Sequence, residues 1–240
     1  MKALFVNASP RKNWNTHKML TSAMQGAQDS GAECELVNLY DAPFKGCVSC
    51  FACKLKNAKT HGLCAFKDAL TPTLEKALAA DVIVAGTPIY FSYPTGMFRS
   101  FIERLLFPIM SYNVNPDGTR PRAIDKTIYS GIIYTMNCPE EFAAQIHYPE
   151  YLAPNAQVMN SVLGYCEELC AYNTYQFTDY ARYDAGMFSE PVKAKYREEH
   201  FPVDLKNAYE LGKRLTEKAE AAANLNTRSS HDGSANDTLR

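Results

Sequence analysis

One loop of this chain combines the residue types that bind phosphate. Residues 7–16, Asn-Ala-Ser-Pro-Arg-Lys-Asn-Trp-Asn-Thr, follow the apolar run 3–6 and precede a helical pattern that begins at His17. Unpaired N–H groups and the positive end of the helix dipole meet at such a helix start, and both favour an anion. Thr16 is also predicted to cap the helix, and an ordinary capped strand-to-helix turn is the alternative. The predicted phosphate ligands are Ser9, Arg11, Asn15 and Thr16.

Four cysteines form a second group that can do chemistry. Cys47, Cys50 and Cys53 follow a C-x2-C-x2-C pattern, and ten residues separate the last of them from Cys64. This spacing lets a loop wrap three corners of a [4Fe-4S] cube while Cys64 supplies the fourth thiolate, and soft thiolates suit iron. A zinc site and a redox disulfide are the other interpretations that the pattern allows.

A second loop pairs ring side chains with a restrained backbone. Residues 87–94, Thr-Pro-Ile-Tyr-Phe-Ser-Tyr-Pro, follow a further apolar run. Tyr90 and Phe91 offer rings, and the neighbouring backbone groups can bond the edge of a planar heterocycle. Aromatic residues at a strand end are also common core residues, so this loop indicates a ligand only together with the phosphate loop.

Strand and helix patterns alternate along the chain and predict how these loops meet. After the first strand, buried strands are predicted at 34–39, 81–87, 126–135 and 171–177, and helices at 17–31, 70–80, 96–106 and 158–169. The alternation predicts an α/β fold, a flavodoxin-like doubly wound five-stranded parallel sheet of order 2-1-3-4-5 with helices on both faces. The switch point then lies between strands 1 and 3, where both loops begin.

The segments outside this pattern define the domain organisation. We predict one domain over residues 1–223, with a cysteine-loop insertion at 44–67 and a second insertion at 111–125. An amphipathic helix over 204–223 closes the domain. The polar segment 224–240 is expected to be a flexible tail.

Composition limits the possible partners and location. The chain has 240 residues, 46% of them apolar, a formal net charge of -1 and a pI near 6.5. It carries no basic run that would bind nucleic acid, and no apolar stretch approaches the ~18 residues of a membrane span. We therefore expect a cytoplasmic protein with neither nucleic acid nor membrane as partner. The near-neutral balance also argues against a strongly acidic electron shuttle.

Three motifs in this order resemble those of the flavodoxin-like, FMN-binding NAD(P)H-dependent oxidoreductases, which include the iron-sulfur flavoproteins. The motifs are residues 7–16, Thr-Pro-Ile-Tyr-Phe at 87–91, and the cysteine set with Gly-Leu-Cys at 62–64 and Asp68. The resemblance covers residues 2–177. It differs at Ala8 and Trp14, where the family usually or often has glycine.

The resemblance implies a cofactor site with named walls. The FMN phosphate would be held by Ser9, Arg11, Asn15 and Thr16. The isoalloxazine would be lined by Pro88, Ile89, Tyr90 and Phe91. Thr135, Met136 and Asn137 would lie near the other edge of the flavin.

The implied activity is electron transfer from NADH or NADPH through FMN, with no catalytic side chain. The acceptor would be a quinone, a flavin, a nitro or azo compound, or a redox protein, and the protein would form a homodimer or a higher homo-oligomer. The alternatives are an iron-sulfur flavoprotein, or a flavodoxin-type carrier without direct nicotinamide reaction. Because the interval before Cys64 is longer than in the iron-sulfur flavoproteins, cluster-free thiols packed over the flavin pocket are a further interpretation.

Overall fold

The structure is a computed structural model that describes the backbone of residues 1–232 and the side chains of residues 1–225. Its sheet contains five parallel strands, β1 (Lys2–Asn7), β2 (Glu33–Asn38), β3 (Val82–Tyr90), β5 (Ile128–Thr135) and β6 (Gly164–Ala171). Their spatial order is β2-β1-β3-β5-β6. Counted among themselves, these strands follow the order 2-1-3-4-5, which confirms the predicted fold class. A sixth, two-residue strand, β4 (Tyr93–Pro94), pairs antiparallel with β3 and was not predicted.

Helices cover both faces of the sheet. They are α1 (Asn15–Asp29), α2 (Thr71–Ala79), α3 (Gly96–Ile109), α4 (Glu140–Gln145), α5 (Tyr148–Leu163) and α6 (Glu190–Asp232). Helices α2, α3 and α5 share one apolar core, and α1 and α6 share the other. Because side chains alternate along a strand, Leu4 and Val6 enter the first core while Ala3 and Phe5 enter the second. No helix in the described part of the chain is both long and apolar enough to cross a membrane.

The last strand lies earlier in the chain than predicted, so the strand at 171–177 and the helix at 158–169 are wrong. Helix α5 ends at Leu163 because Gly164 adopts φ 106°, a left-handed conformation that stops a helix. The strand β6 begins there. Its burial does not alternate, which hid it from pattern analysis. The following Tyr-rich run has strand-forming residue types but lies outside the strands.

The closing helix is longer than predicted. Helix α6 begins at Glu190 rather than at residue 204, and it continues through Pro202 to Asp232. Its packing against α1 outweighs the hydrogen bond that the proline removes. Residues 233–240 of the predicted tail lie outside the described residues.

The contact between α1 and α6 depends on two glycines. A Cβ at Gly26 would lie 2.1 Å from the Tyr209 carbonyl oxygen, and one at Gly212 would lie 1.9 Å from the Ala23 carbonyl oxygen. Alanine is the better helix former by about 1 kcal/mol, so propensity alone would make either alanine variant more stable. Here the two backbones must separate, and overpacking of this kind costs about 3 kcal/mol.

We therefore expect Gly212→Ala to lower the free energy of unfolding by about 2 kcal/mol, the balance of these two effects. Urea denaturation followed by circular dichroism measures the change. Gly186→Ala is the matched control, because a Cβ there meets no atom within 4 Å. A Gly212→Ala variant as stable as the wild type would contradict the close helix contact.

Candidate functional site

The predicted ligand residues converge on one crevice at the carboxyl ends of β1, β3 and β5. Its walls are Arg11, Trp14, Asn15, Thr16, Pro88, Ile89, Tyr90, Thr135, Met136, Asn137, Thr174, Tyr175 and Gln176. The crevice has a volume of about 130 Å³. A neighbouring cavity of about 380 Å³ shares Arg11, Trp14 and Gln176 with it. Of the eleven predicted ligand residues, only Ser9 and Phe91 are absent from its walls.

The start of α1 is open to an anion. Helix α1 begins at Asn15, no side chain in the described structure caps it, and its first turn holds no acidic residue. Thr16 is therefore not the cap that the sequence predicted. Instead its hydroxyl lies 2.7 Å from the Thr135 hydroxyl. This contact joins the start of α1 to the loop at residues 135–137. The first-turn N–H groups lack intrahelical acceptors and fit a phosphate.

Ser9 shapes the loop rather than lining the crevice. Its side chain is buried, its hydroxyl accepts a hydrogen bond from the Arg11 N–H at 3.2 Å, and its own N–H donates to the Asn7 side-chain oxygen at 3.0 Å. The Arg11 guanidinium donates to the Gln176 carbonyl and lies 5.5 Å from the centre of the Trp14 ring. The two local turns hold Arg11 at the mouth of the crevice.

Sequence reasoning missed the wall formed by residues 174–176. The Tyr175 carbonyl accepts hydrogen bonds from Trp14 Nε1 at 2.9 Å and from Asn15 Nδ2 at 2.7 Å. Trp14, which departs from the family's frequent glycine, thus fastens the phosphate loop to this wall. The glycine at 164 was the available signal, because it moves the strand end upstream and leaves this run as a loop beside the crevice.

The second loop lines the crevice with three of its four predicted flavin-binding residues. Pro88, Ile89 and Tyr90 line the crevice, whereas the Phe91 side chain is 100% exposed. Phe91 and Ser92 have φ angles of 49° and 72° and form the two-residue turn between β3 and β4. Left-handed geometry at a bulky residue is uncommon and strained. The turn therefore points the Phe91 ring into solvent in this structure.

The wall formed by residues 135–137 contains a hydrogen-bond acceptor without a partner among the described residues. Asn137 Nδ2 donates to Gln176 Oε1 at 2.9 Å, while Asn137 Oδ1 is buried and has no hydrogen-bond partner within the described residues. Buried polar atoms are rarely left without a partner. An acceptor of this kind in the wall of the crevice fits a ligand that brings an N–H or O–H donor.

A buried lysine supports this wall from behind. Lys193 of α6 donates to Asn173 Oδ1 at 2.7 Å and reaches the Asn137 and Asn173 carbonyls at 3.4 Å. It is 4% exposed, and no carboxylate of the described residues forms an ion pair with it. Burial lowers the pKa of Lys193 to about 8.

This lysine predicts a specific dependence of stability on pH. Between its folded pKa of about 8 and its ordinary value of 10.5, the unfolded chain binds more protons than the folded chain. The free energy of unfolding therefore rises with pH in this window, by up to about 3 kcal/mol from this group. Lys193→Met is expected to lose this rise when urea denaturation is compared at pH 7 and pH 10. Parallel changes in variant and wild type would contradict the assignment.

The four cysteines of the predicted metal set line a single cavity. Cys47, Cys50, Cys53 and Cys64 share it with Glu103, Arg104 and Phe107 of α3, and its volume is about 10 Å³. All four are free thiols. Burial raises the pKa of Cys53, and the nearby Cys64 and Cys50 raise it further against the opposing effect of Lys54. The C-x2-C-x2-C segment and Cys64, which ten residues separate, thus contribute their thiols to the same cavity.

The cysteine loop adopts backbone angles that suit an anionic group. Ser49 and Phe51 have φ angles of 52° and 53°. Left-handed residues within such a turn aim N–H groups inward, a geometry found around phosphates and iron-sulfur clusters. Lys54 anchors the loop by donating to the Phe107 and Met110 carbonyls at the end of α3.

A buried arginine closes the cavity. The Arg104 side chain is 0% exposed and bonds Asp68 Oδ2 at 2.5 Å, the Phe66 carbonyl at 2.5 Å and the Lys45 carbonyl at 3.1 Å. Burial alone would lower the pKa of Arg104, but Asp68 and the neighbouring Cys64 thiol raise it. Its Nε is buried without a partner in the described structure.

The cysteine set differs from a site for a single ion. No three His, Cys, Asp or Glu side chains of the described residues are arranged to hold one metal ion. In a [4Fe-4S] cube each iron takes its own thiolate, so the four ligands do not converge on one point. The donor set, the left-handed loop and the unpaired Arg104 Nε fit such a cluster, and the small cavity requires the loop to open around it.

The sequence is similar to those of known flavoproteins. Residues 1–123 match the NADPH-dependent FMN reductase family. The chain is 38% identical over 104 residues to an iron-sulfur flavoprotein of Archaeoglobus fulgidus, covering 43% of this chain and 48% of that protein. A second iron-sulfur flavoprotein of that organism is 29% identical over 148 residues, covering 61% of each chain. The matched regions thus span about half to three fifths of these relatives.

Solved structures with similar folds include an NAD(P)H:quinone oxidoreductase from Methanothermobacter marburgensis and an azoreductase from Bacillus anthracis. The first has a TM-score of 0.63 at 14% identity and covers 90% of this chain and 96% of its own. The second has a TM-score of 0.59 at 15% identity and covers 89% and 99%. At these identities the similarity to the solved structures shows the fold alone. The match of residues 1–123 to the family model shows which family the chain belongs to. The chain belongs to the NADPH-dependent FMN reductase family.

Proposed function

We propose that this protein is an FMN-dependent oxidoreductase that takes electrons from NADH or NADPH. The observation that carries the proposal is the convergence of three loops on one crevice at the switch point of the sheet. One loop ends at the uncapped start of α1, one supplies Pro88, Ile89 and Tyr90, and one supplies Thr135, Met136 and Asn137. An anion site beside flat apolar and polar walls matches the shape and charge of FMN.

Each wall has a binding role in this proposal. Arg11 and the first-turn N–H groups of α1 hold the phosphate, and Thr16 contributes its hydroxyl beside Thr135. Tyr90 covers one side of the ring system. Asn137 Oδ1, the unpaired acceptor, receives a hydrogen bond from the cofactor. FMN itself supplies hydride acceptance and electron donation, and the protein supplies position and electrostatics without an acid or base residue.

The reductant and the acceptor are proposed with support from the names of the family and of similar structures. The family's name specifies NADPH, and two of the similar structures are named for quinone and azo substrates. We propose quinone and azo compounds as acceptors here, and add a flavin, a nitro compound or a redox protein as further classes that fit the same crevice. The crevice is open to solvent, which would let a nicotinamide and then a flat acceptor reach a flavin held there.

A [4Fe-4S] cluster on Cys47, Cys50, Cys53 and Cys64 is the second part of the proposal. The shared cavity, the left-handed loop and the names of the two Archaeoglobus relatives support it. Helix α3 connects the two sites, because its capping Thr95 donates to the Ala8 carbonyl in the phosphate loop while Arg104 faces the cysteines. With a cluster, a one-electron protein partner becomes the favoured acceptor.

The assembly and location are also proposed. The insertion 111–125 exposes Tyr112 and Val114, and the adjoining Phe51 is exposed as well. These apolar side chains support a homodimer, which analytical ultracentrifugation tests. Free thiols throughout the chain support a reducing, cytoplasmic location.

The activity is tested by mixing FMN-loaded protein with NADH or NADPH in the absence of oxygen. Loss of flavin absorbance in a stopped-flow instrument, followed by its return when a quinone is added, is the expected result. Dithionite is the control reductant, because it reduces any accessible flavin. Flavin that dithionite reduces but neither nicotinamide reduces would contradict the proposal and favour a carrier of the flavodoxin type.

A further inference from the structure

Arg104 is the one fully buried side chain of α3 that carries a charge, and it faces the cysteine cavity. Its contacts are made at the two ends of the cysteine segment. The Lys45 carbonyl lies two residues before Cys47, and the Phe66 carbonyl lies two residues after Cys64. Arg104 thus ties together the chain segments that enter and leave the cysteine loop.

One nitrogen of the Arg104 guanidinium, Nε, has no hydrogen-bond partner among the described residues. Asp68 and the two carbonyls engage Nη1 and Nη2, and the Phe66 ring packs at 5.1 Å. Nε is buried and unpaired, in a cavity whose other walls include all four thiols. A buried donor without a partner is costly, and a thiolate or sulfide in this cavity is an acceptor that would satisfy it.

We infer that Arg104 is a positioning residue for the iron-sulfur cluster, holding both ends of the cysteine loop and raising the reduction potential of the cluster with its charge and its Nε–H. The inference rests on the proposed cluster. Four thiolates make such a cluster anionic, and its one-electron reduction adds a further negative charge. A fixed positive group and a hydrogen bond to sulfur therefore favour the reduced form. The effect is strong because the arginine is shielded from water.

Asp68 makes the inference testable, because it carries the opposite charge in the same place. Its pKa would be raised by burial, but hydrogen bonds from Arg104 and from the Leu70 and Lys45 N–H groups lower it below its ordinary value. Removing Asp68 alone leaves the arginine charge uncompensated. Removing both groups leaves a neutral site. The two variants therefore change the local charge differently while disturbing the same contacts.

The experiment is a potentiometric titration of the anaerobically reconstituted protein with dithionite and mediators, followed by electron paramagnetic resonance. The variants are Asp68→Asn, Arg104→Lys and Arg104→Gln combined with Asp68→Asn. Arg99→Gln is the matched control, because Arg99 lies on the same helix but is exposed and bonds Asn155. Iron and sulfide are measured in every sample, so cluster loading is known independently of the potential.

We expect the double variant to favour oxidised cluster about tenfold at the wild-type midpoint, a shift of about 59 mV to lower potential for one electron. Asp68→Asn alone is expected to leave the midpoint unchanged or raise it, and Arg99→Gln to leave it unchanged. A midpoint that falls in the double variant but not in Asp68→Asn alone would not arise from a merely structural role of Arg104.

Three results would overturn the inference. The first is a double variant that binds the cluster but keeps the wild-type midpoint, because Arg104 would then have no effect on the reduction potential. If the double variant holds no cluster, Arg104→Lys decides: a lowered midpoint supports the inference, because the lysine lacks Nε, and an unchanged midpoint overturns it. A wild-type chain that binds no iron removes the proposed cluster itself and this inference with it.

Discussion

The variant in which Arg11 and Thr16 are both replaced by alanine is expected to bind FMN about 100-fold more weakly than the wild type. A hydrogen bond to a charged group contributes about 2 kcal/mol and a neutral one about 1 kcal/mol, which together correspond to about two orders of magnitude. Both residues line the crevice at its phosphate end, and the Thr16 hydroxyl also contacts Thr135. Fluorescence titration of the apoprotein with FMN measures the change.

The control for this variant uses the neighbouring positions. Lys12 is a cation in the same loop but pairs with Asp41 at the surface, and Thr21 lies one turn further along α1 with its hydroxyl on the His17 carbonyl. Replacing these two residues with alanine is expected to leave FMN affinity within about threefold, since surface ion pairs contribute little. Equal affinities of the two double variants would remove the phosphate-site assignment.

Replacing Cys50 with alanine is expected to abolish bound iron. Cys50 is the middle residue of the C-x2-C-x2-C pattern and lines the cysteine cavity. Three remaining thiolates cannot complete a four-thiolate cluster. Colorimetric iron and sulfide assays on anaerobically purified protein measure the loss, and the FMN content of the same sample is expected to stay at its wild-type level because the two sites are separate.

Cys34→Ala is the matched control for this experiment. Cys34 lies in β2, outside the cysteine cavity, and burial raises the pKa of its thiol to about 11. It is therefore a protonated, structural cysteine at neutral pH, and its removal is expected to leave iron content unchanged. Iron that survives in Cys50→Ala at the wild-type level would mean that the cluster ligands lie elsewhere.

Local signals predicted the parts of the fold that hold the first and second loops. The apolar runs at β1 and β3 are fully buried strands in a parallel sheet, and such strands have a clear pattern. Their order in the sheet then places residues 7–16 and 87–90 at one edge, where the structure has them. The third loop, at residues 135–137, was predicted from the family resemblance instead, and it also lines the crevice.

Features that depend on distant contacts were not predictable. The strand β6 is only partly buried and carries Glu167 and Glu168, so neither propensity nor alternation marks it. Arg104 has the sequence context of an exposed helical residue, and only the fold shows that it reaches Asp68 and the ends of the cysteine loop. The outward turn at Phe91 follows from the pairing of β4 with β3. In each case tertiary packing overrides the local pattern.

The cofactor content of the anaerobically purified protein tests the central claim most directly. Flavin is measured by absorbance and mass spectrometry after denaturation, and iron and sulfide by colorimetric assay on the same sample. We predict about one FMN per chain, accompanied by about four iron and four sulfide atoms. A chain that binds no FMN, even after incubation with the free cofactor, would contradict the account.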